Sequence, residues 1–195
     1  SGNLAVHIAM GDAYLALGES AAAAAEYPAA IDLNRGRADG YLALGDLYEV
    51  YGQLEDAKAA YRQAQLADPS SMTAHVALGE VLQQQKQYGD ALAEYQAAVE
   101  TNRGLAWPWI MVGNLESAQG SLESAKASFT QAISSEPGNV SGYTSLGNIY
   151  LRQKDYEAAL TEYRRALAVY PGSGWTLEAI GNTYKARQML DEALD

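Results

Sequence analysis

Apolar and small side chains recur along this chain with a period of thirty-four residues, and a glycine marks the same place in every repeat. These glycines are Gly11, Gly45, Gly79, Gly113, Gly147 and Gly181. Counted outward from them, the sequence divides into the frames 4–37, 38–71, 72–105, 106–139, 140–173 and a truncated 174–195. A strict period carried through a whole sequence predicts an array of one supersecondary unit.

Each frame opens with a stripe at helical spacing. Frame positions four, seven, eight and eleven lie on one helix face and are bulky, apolar or small, with Glu116 as the one interruption. Position four holds His7, Tyr41, His75, Trp109, Tyr143 and Leu177. We therefore expect a first helix with one buried face, and we expect His7 and His75 to be buried or half-buried structural residues.

A second helical stripe follows a turn at position fifteen, which is occupied by Gly18, Gly52, Lys86, Gly120, Lys154 and Gln188. Alanines at positions twenty and twenty-seven let two helices approach closely. The aromatic residue between them is Tyr27, Tyr61, Tyr95, Phe129 or Tyr163. Pro69, Pro137 and Pro171 are expected to end the second helix, because proline cannot continue one. Each frame is thus predicted to form a helical hairpin.

The motif YLALGDLY...A...Y..A....P, read from residues 41–69, resembles the tetratricopeptide repeat family over about the whole chain. This resemblance implies an all-α fold: a right-handed superhelical solenoid of stacked antiparallel helix pairs, with five complete repeats plus most of a sixth. The first helices would line a concave groove. Arg35 and Arg103 replace the terminal proline, so those junctions are expected to bend differently. Pro28 is expected to kink or end the second helix of the first frame, at a cost of roughly 3 kcal/mol.

The two ends of the sequence lie outside complete frames. Residues 1–3 precede the first frame and are interpreted as a leader or an expression remnant. The last frame exposes an uncapped apolar flank, which indicates either a piece of a longer array or association through that flank. Leu177, Ile180 and Tyr184 would form this flank.

Composition narrows the class of partner. The net charge of −11 argues against nucleic acid, since affinity for phosphates comes from clustered Lys and Arg. The charge is concentrated in residues 1–100, with five basic and fourteen acidic side chains, whereas residues 101–195 hold eight and ten. No cysteine, apolar span or signal segment is present in the sequence. We expect a cytoplasmic location, with the periplasm or a larger membrane-linked protein as alternatives.

The sequence contains no catalytic constellation. It lacks a phosphate-binding loop, paired histidines at metal spacing and a nucleophile elbow. We therefore expect no enzyme activity, no cofactor and no metal site.

Candidate binding residues follow from the helix face opposite the buried stripe, at positions two, five, nine and twelve. In the tetratricopeptide repeat family this face lines the groove, and we call it the groove face. Its position nine reads Asp12, Asp46, Glu80, Asn114, Asn148 and Asn182. The amides can donate to and accept from an extended peptide backbone. The strings VGN, LGN and IGN are similar to the asparagine ladder in the repeat array of the nucleocytoplasmic glycosyltransferase that modifies Ser and Thr.

Further candidates surround these amides: Trp107, Ile110, Arg152, Trp175 and Lys185. Tryptophan and arginine are typical anchors in interfaces, although both tryptophans could instead pack across junctions between frames. In the acidic half, Asp39, Asp46, Glu49 and Glu80 would form a carboxylate surface that suits a Lys- or Arg-bearing segment. The carboxylate clamp of the family is not expected, because positions two, five and six carry no Lys or Arg.

The sequence therefore predicts a protein–protein interaction scaffold that binds a peptide or protein segment in its concave groove. Two alternatives remain open at this point: the substrate-recognition arm of a larger enzyme such as a glycosyltransferase, and a self-associating structural module.

Overall fold

The computed structural model describes residues 4–18, 22, 25–26 and 38–194, without the side chains of residues 4, 5, 8, 12, 15 and 189–194. Pro28, Arg35 and the side chain of Asp12 lie outside the described part, so the expectations that concern them stay predictions.

Across the ranges that the structure describes, the chain forms ten helices and no strand. The helices are α1 (Leu4–Ala16), α2 (Ala38–Val50), α3 (Leu54–Ala67), α4 (Met72–Gln84), α5 (Tyr88–Thr101), α6 (Ala106–Ala118), α7 (Leu122–Ser135), α8 (Val140–Arg152), α9 (Tyr156–Val169) and α10 (Gly174–Leu194). From α2 to α9 they pair within the second to fifth frames, as α2 with α3, α4 with α5, α6 with α7 and α8 with α9. Because each pair packs together across a three-residue turn, its helices run antiparallel, as the helical-hairpin prediction requires.

The chain divides into two compact units. The first, Ser1–Thr101, holds α1 to α5, and the second, Asn102–Asp195, holds α6 to α10. The division coincides with the change from carboxylates to amides at position nine. Each unit therefore carries its own kind of polar groove face.

Within a pair, the aromatic ring of the second helix lies directly on the glycine of the first. A Cβ added to Gly45, Gly79, Gly113 or Gly147 would stand 2.2 to 2.6 Å from that ring. The four rings, Tyr61, Tyr95, Phe129 and Tyr163, are almost completely buried. The glycine thus provides the space that the ring fills, which explains why the two recur together.

The turns between paired helices need a left-handed residue at position fifteen. Gly52 and Gly120 have φ of +70° and +82°, and Lys86 and Lys154 adopt φ of +61° in the same place. Left-handed backbone at the end of a helix lets the next residues bond back to its last carbonyls. The predicted turns are confirmed at all four positions.

The second helices end just before the prolines, as predicted. α3, α7 and α9 stop two residues before Pro69, Pro137 and Pro171. α5, which is followed by Arg103 in place of proline, stops at the equivalent residue, Thr101. Proline is therefore not required for the helix to end.

The sixth frame differs from the prediction. The turn expected at Gln188 is absent, because α10 continues without a break from Gly174 to Leu194. Residues 185–193 contain neither glycine nor proline and favour a helix. In addition, no atom lies within 4 Å of a Cβ added to Gly181.

The interruption of the stripe at Glu116 is resolved by a polar pair. The hydroxyl of Ser128, which is buried on α7, donates a 2.7 Å hydrogen bond to the half-buried carboxylate of Glu116. A buried polar group is costly unless it is bonded in this way. The helix pair α6–α7 therefore keeps its packing despite a charged residue at a core position.

Candidate functional site

In the second and fifth frames, position nine of the first helix lies beside the hydroxyl of the ring described above, whereas in the third frame the hydroxyl of Tyr95 donates a 3.0 Å hydrogen bond to Gln83. In the second frame, Tyr61 donates a 2.7 Å hydrogen bond to Asp46 and a 2.8 Å bond to Glu49. In the fifth frame, Tyr163 donates a 2.7 Å bond to Oδ1 of Asn148. The buried ring thus extends from the core to the groove face, where its hydroxyl fixes the orientation of the polar side chain.

In the first unit, this arrangement collects carboxylates on neighbouring helices. Glu49 also accepts a 2.8 Å hydrogen bond from Gln84 of the next first helix. The pKa of Glu80 is raised above its usual range, mainly because the carboxylate is partly buried and secondly because the negative charges of Glu49 and Asp46 lie nearby. Of the four carboxylates expected on this surface, Asp46, Glu49 and Glu80 act on one another electrostatically, whereas Asp39 is exposed near the start of α2.

The same carboxylates affect the buried tyrosines. Burial and the two hydrogen bonds to Asp46 and Glu49 raise the pKa of the Tyr61 hydroxyl far above its ordinary value. Burial alone raises the pKa of Tyr163, which faces an amide, to about 12. Both hydroxyls remain protonated at neutral pH and act as hydrogen-bond donors.

In the second unit, the groove face forms an open pocket between α8 and α10. Three of the predicted binding residues, Asn148, Trp175 and Asn182, line this pocket. Leu151 and the ring of Tyr163 contribute further lining, and Glu178 of α10 adds a carboxylate. The pocket combines apolar walls with a few polar groups, which is the composition typical of binding pockets in proteins.

The other predicted residues are placed less closely together. Asn114 and Lys185 are exposed on α6 and α10, and 40% of Trp107 is exposed near the start of α6. Arg152 is exposed but donates hydrogen bonds to the carbonyl and hydroxyl oxygens of Ser117. It therefore also links the fourth and fifth frames.

Position five does not lie on the exposed face in most frames, contrary to the expectation. Val76 and Thr144 are buried, and Ile110 packs against the core of the second unit. The apolar character of this position is therefore explained by packing. Glu178, which occupies position five of the sixth frame, is exposed.

A model of the tetratricopeptide repeat matches residues 42–106 and 111–174, which is more than half of the chain. The chain belongs to the tetratricopeptide repeat family. A comparison with curated protein sequences gives no significant match.

Several solved protein structures are similar to this chain. YrrB, described as a TPR protein with an unusual peptide-binding site, is 25% identical, has a TM-score of 0.64 and covers 89% of each chain. PilF of Pseudomonas aeruginosa is 18% identical, with a TM-score of 0.76, and the match covers 98% of this chain and 87% of PilF. MamA is 22% identical, with a TM-score of 0.68, and the match covers 85% of this chain and 91% of MamA. The two latter matches show the fold, an all-α array of helix pairs.

The histidines of the tetratricopeptide repeats occupy structural positions. Nδ1 of His7 lies 2.6 Å from the carboxylate of Glu26, and Nδ1 of His75 lies 2.7 Å from that of Glu94. Gln65 adds a 2.7 Å hydrogen bond to Glu94. Both histidines are half-buried. They join the first and second helices of their frames, as expected for structural residues.

The described ranges contain neither a candidate metal site nor a membrane-spanning helix. No group of three His, Cys, Asp or Glu residues there could hold a metal ion. None of the helices described above is both long and apolar enough to cross a membrane.

Four residues that line the pocket are not among the predicted binding residues, and two of them, Tyr163 and Glu178, carry polar groups. Tyr163 was assigned to the core, and its hydroxyl reaches the groove face only because its ring lies across Gly147. Glu178 was not singled out, since the residues at its frame position are otherwise apolar or Thr. The signal for Glu178 was its charge at a position where every other frame is uncharged.

Proposed function

We propose that this array binds an extended segment of a partner protein on the groove face of its first helices, without catalysis. The observation that carries the proposal is the pocket of the second unit, in which Asn148, Trp175 and Asn182 come together. These residues stand on two successive first helices. A segment running across those helices could meet both amides and the indole ring.

The exposure of the tryptophans favours binding over packing between frames. Trp175 has 54% and Trp107 has 40% of its surface exposed. Tryptophan residues are frequent anchors in protein interfaces. Burial of both rings by a partner would remove this apolar area from water.

The first unit would contribute a second kind of contact. Its carboxylates Asp46, Glu49 and Glu80 present acceptors and negative charge, which suits Lys or Arg side chains of the partner. The similarity to YrrB, whose description names a peptide-binding site, supports peptide binding in general.

The test is a screen of a peptide library against the purified array, followed by calorimetry on the hits. Asn148→Asp keeps the oxygen that accepts from Tyr163 but removes the amide donors, so it tests binding while preserving that bond. We expect Asn148→Asp to weaken binding by about threefold to tenfold, the worth of one hydrogen bond. In the first unit, Asp46→Asn keeps the oxygen that accepts from Tyr61 but replaces the charged carboxylate with a neutral amide.

Gln131→Ala serves as a control, because Gln131 is exposed on the second helix α7 and away from the groove face. Binding that is unchanged by Asn148→Asp and Asp46→Asn, but reduced by Gln131→Ala, would exclude the groove face. A failure to obtain hits from the folded protein would overturn peptide binding altogether.

A second candidate function is self-association through α10. Leu177 is 53% exposed and lies one turn from Gly181, where no atom lies within 4 Å of an added Cβ, so this part of α10 presents an open apolar face. Mass determination in solution over a range of concentrations tests this candidate. A constant monomer mass would exclude it, and a rise that is abolished by Leu177→Asp would favour it.

A further inference from the structure

We infer that the pocket of the second unit selects a segment with a Lys or Arg side chain, which lies against Trp175 and pairs with Glu178. This inference rests on the proposed function and names the ligand class of the same site. It extends the expected preference for basic residues from the acidic first unit to the amide-bearing second unit.

The first step is the position of Trp175 and Glu178 on α10. They are three residues apart, so they share one helix face, and both line the pocket. An indole face is the best aromatic partner for a cation, and a carboxylate beside it adds direct charge attraction. Together they form a site for a cationic side chain whose aliphatic stem can also pack on the ring.

The second step is that Glu178 is available. It is exposed, and within the part of the chain that the structure describes it has no hydrogen bond or ion pair. By contrast, the exposed Glu123 and Glu157 are paired with Lys126 and Arg187. A carboxylate that lines a pocket without a cation of its own favours a ligand that brings one.

The third step is the hydrogen-bond polarity of the pocket. Oδ1 of Asn148 accepts from Tyr163, so the amide nitrogen of Asn148 is left to donate. A donor fixed in this way suits a backbone carbonyl of the ligand. The backbone would therefore lie at Asn148, and the basic side chain would extend toward Trp175 and Glu178.

The fourth step concerns the nearby cations. Lys185 follows Glu178 by seven residues on α10, which is about 10 Å along the helix axis. Arg152 is engaged by Ser117. Neither cation neutralises Glu178. An apolar ligand side chain would instead leave the carboxylate partly desolvated without a partner, and an acidic one would be repelled.

The fourth frame provides an internal comparison. Its residues at the same two positions are Trp107 and Ile110, so an equivalent tryptophan there stands beside an apolar residue. That pair has no carboxylate for a cation. The preference for a basic side chain is therefore expected at the pocket of α10 and not at the start of α6.

The test uses sub-libraries of short blocked peptides in which one position is fixed as Lys, norleucine or Glu. We expect binders in the Lys set, with affinity lost when that Lys is replaced by norleucine in the same peptide. Glu178→Gln is expected to weaken the Lys peptide by about tenfold, or about 1.4 kcal/mol, and to change the norleucine peptide by less than twofold. Trp175→Leu is expected to weaken the Lys peptide as well.

Asp56→Asn is the matched control, because it removes one exposed carboxylate from α3, outside the pocket. Circular dichroism of each variant verifies that the helices are intact. Peptides that bind equally well with Lys or norleucine, or that lose equal affinity with Glu178→Gln, would overturn the inference while peptide binding stands. A lack of binders in every set would overturn both the inference and the proposed function.

Discussion

The hydroxyl of Tyr163 donates a 2.7 Å hydrogen bond to Oδ1 of Asn148, from a ring that is fully buried against Gly147. A core residue therefore holds a groove residue in place. Tyr61 and Asp46 repeat the relationship in the first unit at the same distance. Because the position of the ring is fixed by packing, the polar group that it bonds is oriented before any ligand arrives, which lowers the entropy lost on binding.

The first prediction concerns the glycine under the ring. Gly147→Ala would place a Cβ 2.6 Å from Tyr163, so the ring or the helix must shift. We expect a loss of about 1 to 3 kcal/mol in the free energy of unfolding, as for an overpacked core. Gly181→Ala is the matched control, because no atom lies within 4 Å of its Cβ and alanine favours a helix by up to about 1 kcal/mol. Urea unfolding followed by circular dichroism measures both, and equal effects would contradict the prediction.

The second prediction compares the two hydroxyls. Tyr163→Phe removes one hydrogen bond to an amide, at a cost of about 1 kcal/mol. Tyr61→Phe removes the donor shared by Asp46 and Glu49, so we expect a larger cost of about 1.5 to 3 kcal/mol. The fourth frame already has Phe129 in this place, so the ring packing itself is preserved. Equal unfolding free energies for the two variants would show that the charge of the acceptor is unimportant.

The third prediction is a dependence on pH. Burial and the nearby carboxylates raise the pKa of Glu80 in the folded state, so its ionised form is disfavoured there relative to the unfolded chain. The group therefore lowers stability above its folded pKa, and this penalty disappears as the pH falls toward the unfolded value. Glu80→Gln should raise the melting temperature at pH 7 and have little effect near pH 4. A shift that is the same at both pH values would contradict the assignment.

The fourth prediction concerns the turns. Lys154 adopts a φ of +61°, which a side chain disfavours, whereas Gly120 adopts +82° in the equivalent turn. Lys154→Gly should stabilise the fold by about 1 kcal/mol, because glycine has no Cβ to clash. Gly120→Ala should have the opposite sign. Chemical denaturation of the two variants measures both changes, and destabilisation by Lys154→Gly would refute the argument.

The parts of the fold that could be predicted from sequence are those governed by spacing. The glycine at position eight and the aromatic residue at position twenty-four recur together because they contact each other, as Gly79 and Tyr95 do. The turn at position fifteen could be predicted because in every frame this position lies between two stripes of helical spacing. Such regularities are visible in one sequence, since each frame repeats the evidence of the others.

What could not be predicted depends on contacts that do not repeat. Ser128 and Glu116 pair across two helices, and nothing in the periodicity relates their frame positions. Glu178 is not predicted because the residues at its frame position are otherwise apolar or Thr and, where described, pack against the core, whereas Glu178 is exposed. The turn expected at Gln188 is wrong because α10 continues through residues 185–193, which contain neither glycine nor proline.

The bond between the buried tyrosine and position nine has a consequence for how such arrays change over time. Tyrosine requires only an oxygen there, and Asp46 and Asn148 provide one equally well. The codons of aspartate and asparagine differ by one base, so one point mutation in the gene can replace a carboxylate oxygen with an amide nitrogen donor while the oxygen that accepts from tyrosine is kept. A single substitution at this position can therefore change the charge and the donors of the groove face without removing the bond to the buried ring.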